Sequence, residues 1–147
     1  MNLSKNILIT GNGGVGKSSL IDLLNNKKFS KKYIPTTEIK STEIKSNNGS
    51  NYTFYEYPGQ WQYSPINMDL SNIDLHIIMY DLTNKTSFEK VKFWKEKVEK
   101  HNISVLIVGN KIDSKYRKII DNSSINISVK NKVNIDKLLE FIDYILQ

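Results

Sequence analysis

The chain has 147 residues and no cysteine, so it holds one domain and excludes a disulfide framework, a thiolate metal site, a cysteine nucleophile and a lipidated cysteine. Its net charge is +6, but the basic residues are spread along the sequence without interleaved aromatics, which argues against a nucleic-acid surface. Met1–Lys5 is neither a signal peptide nor a myristoylation motif and no apolar run is long enough to span a bilayer, so a soluble intracellular protein without a lipid anchor is expected.

Asn6–Thr10 reads as a short buried strand. Gly11-Asn12-Gly13-Gly14-Val15-Gly16-Lys17-Ser18 follows, with the spelling G-x-x-x-x-G-K-[ST] of a phosphate-binding loop. Glycines let the backbone curl until several N–H groups face one anion. The backbone from Asn12 to Ser19 is therefore the expected phosphate cradle. Lys17 is placed for the β- and γ-phosphates and the Ser18 hydroxyl for Mg²⁺. Leu20, Ile21, Leu23 and Leu24 recur at helical spacing directly afterwards, so the positive end of a helix faces the same site.

Residues 27–38 carry Pro35 and read as a loop. Ile39–Ser46 and Tyr52–Tyr57 read as extended segments joined by the turn Asn47-Asn48-Gly49-Ser50, which makes a hairpin. Pro58-Gly59-Gln60 ends the second strand, and Trp61–Ser71 reads as irregular or weakly helical. Leu75–Tyr80 is a near-continuous apolar run, as expected of a strand covered on both faces, with His76 as a core histidine. Thr86-Ser87-Phe88-Glu89 fits a capping box. Phe88, Val91, Trp94 and Val98 form the apolar stripe of the next helix, and Lys90, Lys92, Lys95, Lys97 and Lys100 form its solvated side. Ser104–Gly109 and Ile125–Ser128 read as the last strands. Ile135, Leu138, Leu139, Ile142, Ile145 and Leu146 mark a closing helix. Alternating strands and helices predict an α/β fold with a mostly parallel sheet and the ligand at the carboxyl ends of its strands.

Asn110-Lys111-Ile112-Asp113 lies immediately after the Ser104–Gly109 strand. Guanine presents an N1–H and an N2 amino group side by side, and one carboxylate, that of Asp113, can accept both hydrogen bonds. Adenine offers no such pair, and a site built on hydrogen bonds rejects the analogue that lacks them. Together with the phosphate loop, this predicts a guanine nucleotide.

With these two motifs the chain resembles the Ras superfamily of small GTPases over nearly its whole length. The fold this implies is a three-layer P-loop NTPase sandwich around a six-stranded, mostly parallel sheet. By the same resemblance Phe29 packs on the guanine ring. Tyr33-Ile34-Pro35-Thr36 is the first switch, with Tyr33 at the nucleotide and Thr36 on Mg²⁺ and the γ-phosphate. Gly59 gives its N–H to the γ-phosphate, Gln60 orients the attacking water, and Ser128-Val129-Lys130 touches the guanine O6 through its backbone. Gln60 and Lys17 are then the catalytic residues. Within the superfamily the chain is similar to the Ran family, through Phe29–Tyr33, Val91–Trp94, Asn102–Val105, Gly109–Asp113 and Tyr116–Ile119. The Rab family comes second. This implies a role in nucleocytoplasmic transport, residence in the nucleus or cytoplasm, and as partners an exchange factor, an activating protein and transport-receptor-like effectors.

Two departures from the family carry expectations. The second switch, written Asp-Thr-Ala-Gly-Gln in the family, is here Glu56-Tyr57-Pro58-Gly59-Gln60. Glu56 stands where the Asp holds a Mg²⁺-bound water, Pro58 restricts the backbone ahead of Gly59, and Trp61 adds a large apolar side chain. Slower hydrolysis and looser Mg²⁺ binding are expected, either in a slow switch or in a guanine-nucleotide-binding module that does not cycle. Further on, only the 14 residues Ser114–Ile127 separate Asp113 from Ser128. A parallel crossover with a helix needs about a dozen residues or more, and the family this chain resembles uses well over that here, so the helix between strands five and six is expected to be short or missing. The thinly covered sheet face that results is a surface for a partner or for self-association.

Overall fold

A computed structural model of the chain describes residues 4–26, 38–61 and 66–147. Six strands form one sheet in the order β2-β3-β1-β4-β5-β6. The central strand β1 (Lys5–Thr10) lies between β3 (Asn51–Glu56) and β4 (Leu75–Asp81), parallel to both. The hairpin partner β2 (Lys40–Lys45) is antiparallel to β3. On the other side β5 (Ser104–Asn110) and β6 (Ser124–Asn126) continue in parallel. Every residue of β4 is buried, as its near-continuous apolar run predicts for a strand covered on both faces.

Side chains alternate across the sheet and divide the core in two. On one face Ile7, Ile9, Leu75, Ile77 and Met79 pack with Leu20 and Ile21 of α1 (Lys17–Leu24) and with Leu138 and Ile142 of α3 (Ile135–Ile145). On the other, Leu8, Ile78 and Tyr80 pack with Val91, Trp94 and Val98 of α2 (Lys85–Val98). Helix, sheet and helix make the expected three layers. The lysines of α2 are not uniformly solvated: the Nζ atoms of Lys90 and Lys97 lie 4.9 and 4.5 Å from the centre of the Phe93 ring, a cation–π arrangement.

Two local expectations shift. The cap of α2 is Asn84, not the Thr86 box: the Asn84 side chain accepts the Ser87 N–H at 2.9 Å, and the helix starts two residues early because that side chain reaches the free amide. The last strand is Ser124–Asn126. Ser128 instead exchanges two backbone hydrogen bonds with Val133 across a tight loop, at 3.1 and 2.9 Å. After Gly59, the chain forms one 3-10 turn over Gly59–Trp61; part of the segment to Ser71 lies outside the described residues.

No helix connects β5 to β6. Residues 111–123 are turns and irregular backbone, as the short spacing predicts. The physical consequence is visible in β5: Val105, Leu106 and Ile107 are only half-buried, and Tyr116 and Ile120 on the connection are 79% and 54% exposed.

A nucleotide cradle at the carboxyl ends of the strands

The loop from Gly11 to Gly16 joins β1 to α1 and requires left-handed backbone at Gly14 and Gly16, with φ of 81° and 107°. A side chain on Gly16 would stand 2.3 Å from the amide nitrogen of Asn110, so only glycine lets the two motifs approach this closely. Lys17 heads α1 and is buried. Its Nζ donates to the carbonyls of Gly11 at 2.7 Å and Asn12 at 3.0 Å. Burial brings its pKa down to about 8, partly offset by the negative charge of Glu56. Ser19 follows half-buried in the first turn.

Asn110 connects the separate parts of the site. Its side-chain Nδ2 donates to the Val15 carbonyl at 3.0 Å, and its Oδ1 accepts the Val129 N–H at 3.1 Å. Lys111, in left-handed backbone with φ of 74°, extends Nζ to the Gly14 carbonyl at 3.0 Å and forms an ion pair with Asp81 at 2.8 Å. Burial pushes the Asp81 carboxyl up. Hydrogen bonds from Lys111 and from Thr83 outweigh that and hold it below its ordinary value. Asp113 is half-buried and accepts the Ser128 hydroxyl at 2.7 Å through one carboxylate oxygen. Ser128 Oγ in turn accepts the Asn131 N–H at 2.9 Å. This chain of bonds fixes the direction of the carboxylate. Val129 is buried beside it and Lys130 is exposed.

The second switch meets the loop from the other side. Gly59 is buried so closely against it that a Cβ there would lie 2.4 Å from the Gly13 nitrogen. Gln60 is exposed and contributes no described bond to the loop. Ser18 Oγ donates to Glu56 Oε2 at 2.6 Å. A hydroxyl and a carboxylate at one point are hard oxygen donors and suit Mg²⁺. Among the described residues no three His, Cys, Asp or Glu side chains gather to hold a metal alone.

The structure thus brings together Asn12–Ser19, Glu56, Gly59, Asn110, Lys111, Asp113, Ser128 and Val129. The expectations for Phe29, Tyr33 and Thr36 lie outside the described residues. Three contacts had no counterpart in the sequence reading. They are the Asp81–Lys111 pair, the direct Ser18–Glu56 bond, and a hydrogen bond from Trp94 Nε1 to Asn12 Oδ1 at 3.2 Å. Only the last had a signal in the sequence. A tryptophan in a core stripe must find a partner for its N–H.

The Ras family model matches residues 6–142. The chain is 29% identical over 160 residues to the Ypt/Rab-type GTPase YPT7 of Saccharomyces cerevisiae, covering 91% of this chain and 77% of that protein. It is 35% identical over 118 residues to the Ras-related protein RabV of Dictyostelium discoideum, covering 73% and 49%. It is 26% identical over 148 residues to the intraflagellar transport protein 27 homolog of Trypanosoma brucei brucei, covering 94% and 81%. The chain therefore spans about half the length of RabV and more than three quarters of the other two.

Proposed function

The chain belongs to the Ras family of small GTPases, and we propose that it is a GTP/GDP switch of the Ras/Rab type that hydrolyses GTP slowly without an activating partner. The observation that supports this most strongly is the double hydrogen bond of Asn110. One side chain fastens the phosphate loop at Val15 and the base loop at Val129. Phosphates and guanine are therefore read by one rigid unit. In this reading the carboxylate of Asp113, oriented by Ser128, accepts both guanine donors. The backbone from Asn12 to Ser19 receives the phosphates, and Lys17 turns from the Gly11 and Asn12 carbonyls toward the β- and γ-oxygens. Family membership implies GTP or GDP and Mg²⁺ as ligands, and an exchange factor, an activating protein and effectors as partners. Ser18 and Glu56 would hold the Mg²⁺, which when bound neutralises phosphate charge. Gln60 positions the attacking water once the switch turns it inward.

The likeness to Ran has weaker support. YPT7 and RabV carry Rab-type names and none of the three relatives is named as Ran. The Rab-type reading is therefore preferred, and the nuclear-transport role, the nuclear residence and the transport-receptor effectors rest on short stretches of sequence alone. A second reading, a nucleotide-binding module that does not cycle, is favoured by one feature. Tyr57 and Pro58 are buried immediately before Gly59, so the start of the switch is packed down.

Single-turnover GTP hydrolysis on purified protein with Mg²⁺ separates the readings. Conversion of GTP to GDP that Gln60→Leu abolishes establishes the switch. GTP that binds and stays intact, with binding lost in Asp113→Ala, establishes the binding module. Failure of the intact chain to retain either guanine nucleotide rejects both.

A further inference from the structure

We infer that Trp94 is a positioning residue of the nucleotide site, coupling the phosphate loop to the second switch through Asn12 on one side and Tyr57 on the other. The inference rests on the proposed nucleotide-binding role and goes beyond it. Trp94 is fully buried in α2, and its indole N–H donates to Asn12 Oδ1. A buried indole without an acceptor forfeits the solvation of its N–H, so this bond is held firmly. Asn12 is the residue whose carbonyl accepts Lys17 Nζ. The indole therefore grips the side chain of the same residue whose carbonyl parks the phosphate-binding lysine.

Tyr57 supplies the other half. Its ring stands edge-on to Trp94, with centroids 6.0 Å apart at 77°, and edge-on to Trp61, at 5.4 Å and 81°. Two residues beyond Tyr57, Gly59 presses on the peptide between Asn12 and Gly13, where a Cβ would fall 2.7 Å from the Asn12 carbonyl carbon. Three elements thus converge on Asn12: α2 through Trp94, the switch through Gly59, and the loop itself. Edge-to-face rings have a preferred geometry and do not slide freely. A displacement of Gly59–Trp61 therefore either carries Tyr57 and the Trp94 indole with it or breaks their packing. Both outcomes change the hold on Asn12.

Both tryptophans of the chain belong to this cluster, which supplies a direct readout. Trp94→Phe keeps an aromatic ring, deletes the N–H and leaves Trp61 as the single indole emitter. Release of labelled GDP is measured for the unaltered chain, Trp94→Phe, Asn12→Ala and the double variant. Each single substitution is expected to speed release about fivefold, the worth of one hydrogen bond, and the double no more than either alone. Trp61 emission, which should differ between the GDP form and the form with a non-hydrolysable GTP analogue, should lose that difference in Trp94→Phe. Additive effects in the double variant overturn the inference, as does unchanged release or an undiminished emission difference in Trp94→Phe. Should Trp94→Phe fail to fold, Asn12→Asp and Asn12→Ala decide. The first keeps an acceptor for the indole and should disturb release less than the second; equal effects overturn the coupling. If the unaltered chain binds no guanine nucleotide, the proposed function fails as well, an outcome distinct from binding without coupling.

Discussion

Ser18 gives its hydroxyl hydrogen to the Glu56 carboxylate at 2.6 Å. In this bond the oxygen lone pairs of Ser18 stay available to a cation while Glu56 adds a negative charge beside it. The Glu56 carboxylate is buried and stays in contact with this hydroxyl. Groups that orient a metal ligand typically contribute 10–100-fold in metal affinity. Glu56→Ala should therefore raise the Mg²⁺ concentration needed to retain labelled GDP by about tenfold or more. Retention at unchanged Mg²⁺ would remove Glu56 from the cation site.

Pro58 is buried between Tyr57, packed on two indoles, and Gly59, pressed on the loop. A proline also restricts the residue before it. Gln60 stands exposed at the end of this restrained segment. Replacing Glu56 by Asp and Pro58 by Ala together should accelerate single-turnover hydrolysis severalfold without weakening GTP binding by a comparable factor. An unchanged rate would show that neither residue limits the chemistry.

The phosphate loop and the base motif were legible because their chemistry is local. Glycines, a lysine and a carboxylate at fixed spacing declare themselves in a few residues. The shortened β5–β6 connection was legible as well, since 14 residues barely exceed the dozen or so that a crossover with a helix needs. What could not be read is the contact between distant positions. Ser18 and Glu56 are 38 residues apart, and Asn12 and Trp94 are 82 apart. Asp81 meets Lys111 only because β4 and β5 run side by side with Asp81 opposite Asn110. The cap of α2 was misplaced by local competition, since Asn84 and Thr86 are both good cap residues and the sequence does not say which amide is left free.

Asp143 on α3 accepts the hydroxyls of Tyr52 and of Ser46, the latter at 2.9 and 3.1 Å. The bond clasps the closing helix to the β2–β3 hairpin, far along the chain from the nucleotide motifs. Burial, with this carboxylate beside it, pushes the Tyr52 phenol up to about 12. Asp143→Ala leaves two donors at buried positions and should cost about 2–3 kcal/mol by urea unfolding. Nucleotide affinity, measured at a temperature where the variant is fully folded, should stay within about twofold, since the clasp touches no part of the cradle.

His76 lies in the core with Nε2 at 2.8 Å from the Thr10 hydroxyl, and its Nδ1 has no partner among the described residues. Burial brings its pKa down from 6.5 to about 3. The unfolded chain therefore binds a proton that the folded chain refuses between those values. Stability is fully present above 6.5 and is lost as the pH falls toward 3, at up to about 1.4 kcal/mol per unit. Urea unfolding at stepped pH should show this slope in the unaltered chain and a shallower one in His76→Leu. That variant also leaves the Thr10 hydroxyl without its partner and should be about 1 kcal/mol less stable at neutral pH. Equal slopes in the two proteins would assign the acid sensitivity to the carboxylates instead.

Lys17 makes the opposite end of the pH range informative. Its amine is held near 8, below its ordinary 10.5, by burial. Between those values the unfolded chain carries more protons than the folded one, so the nucleotide-free protein gains stability as the pH rises through that window. Nucleotide binding runs the other way. Phosphate oxygens favour the ammonium form, and above about 8 a proton must be taken up as the nucleotide enters. GDP affinity should therefore be flat below that point and fall with a slope approaching tenfold per pH unit above it. Equilibrium binding of labelled GDP from about pH 7 to about pH 9, paired with thermal unfolding of the nucleotide-free chain, reads both trends at once. Lys17→Arg keeps its charge throughout this range and should lose the downward bend in affinity, although its longer planar head will bind less well at every pH. A bend that survives in Lys17→Arg would place the titrating group elsewhere in the cradle.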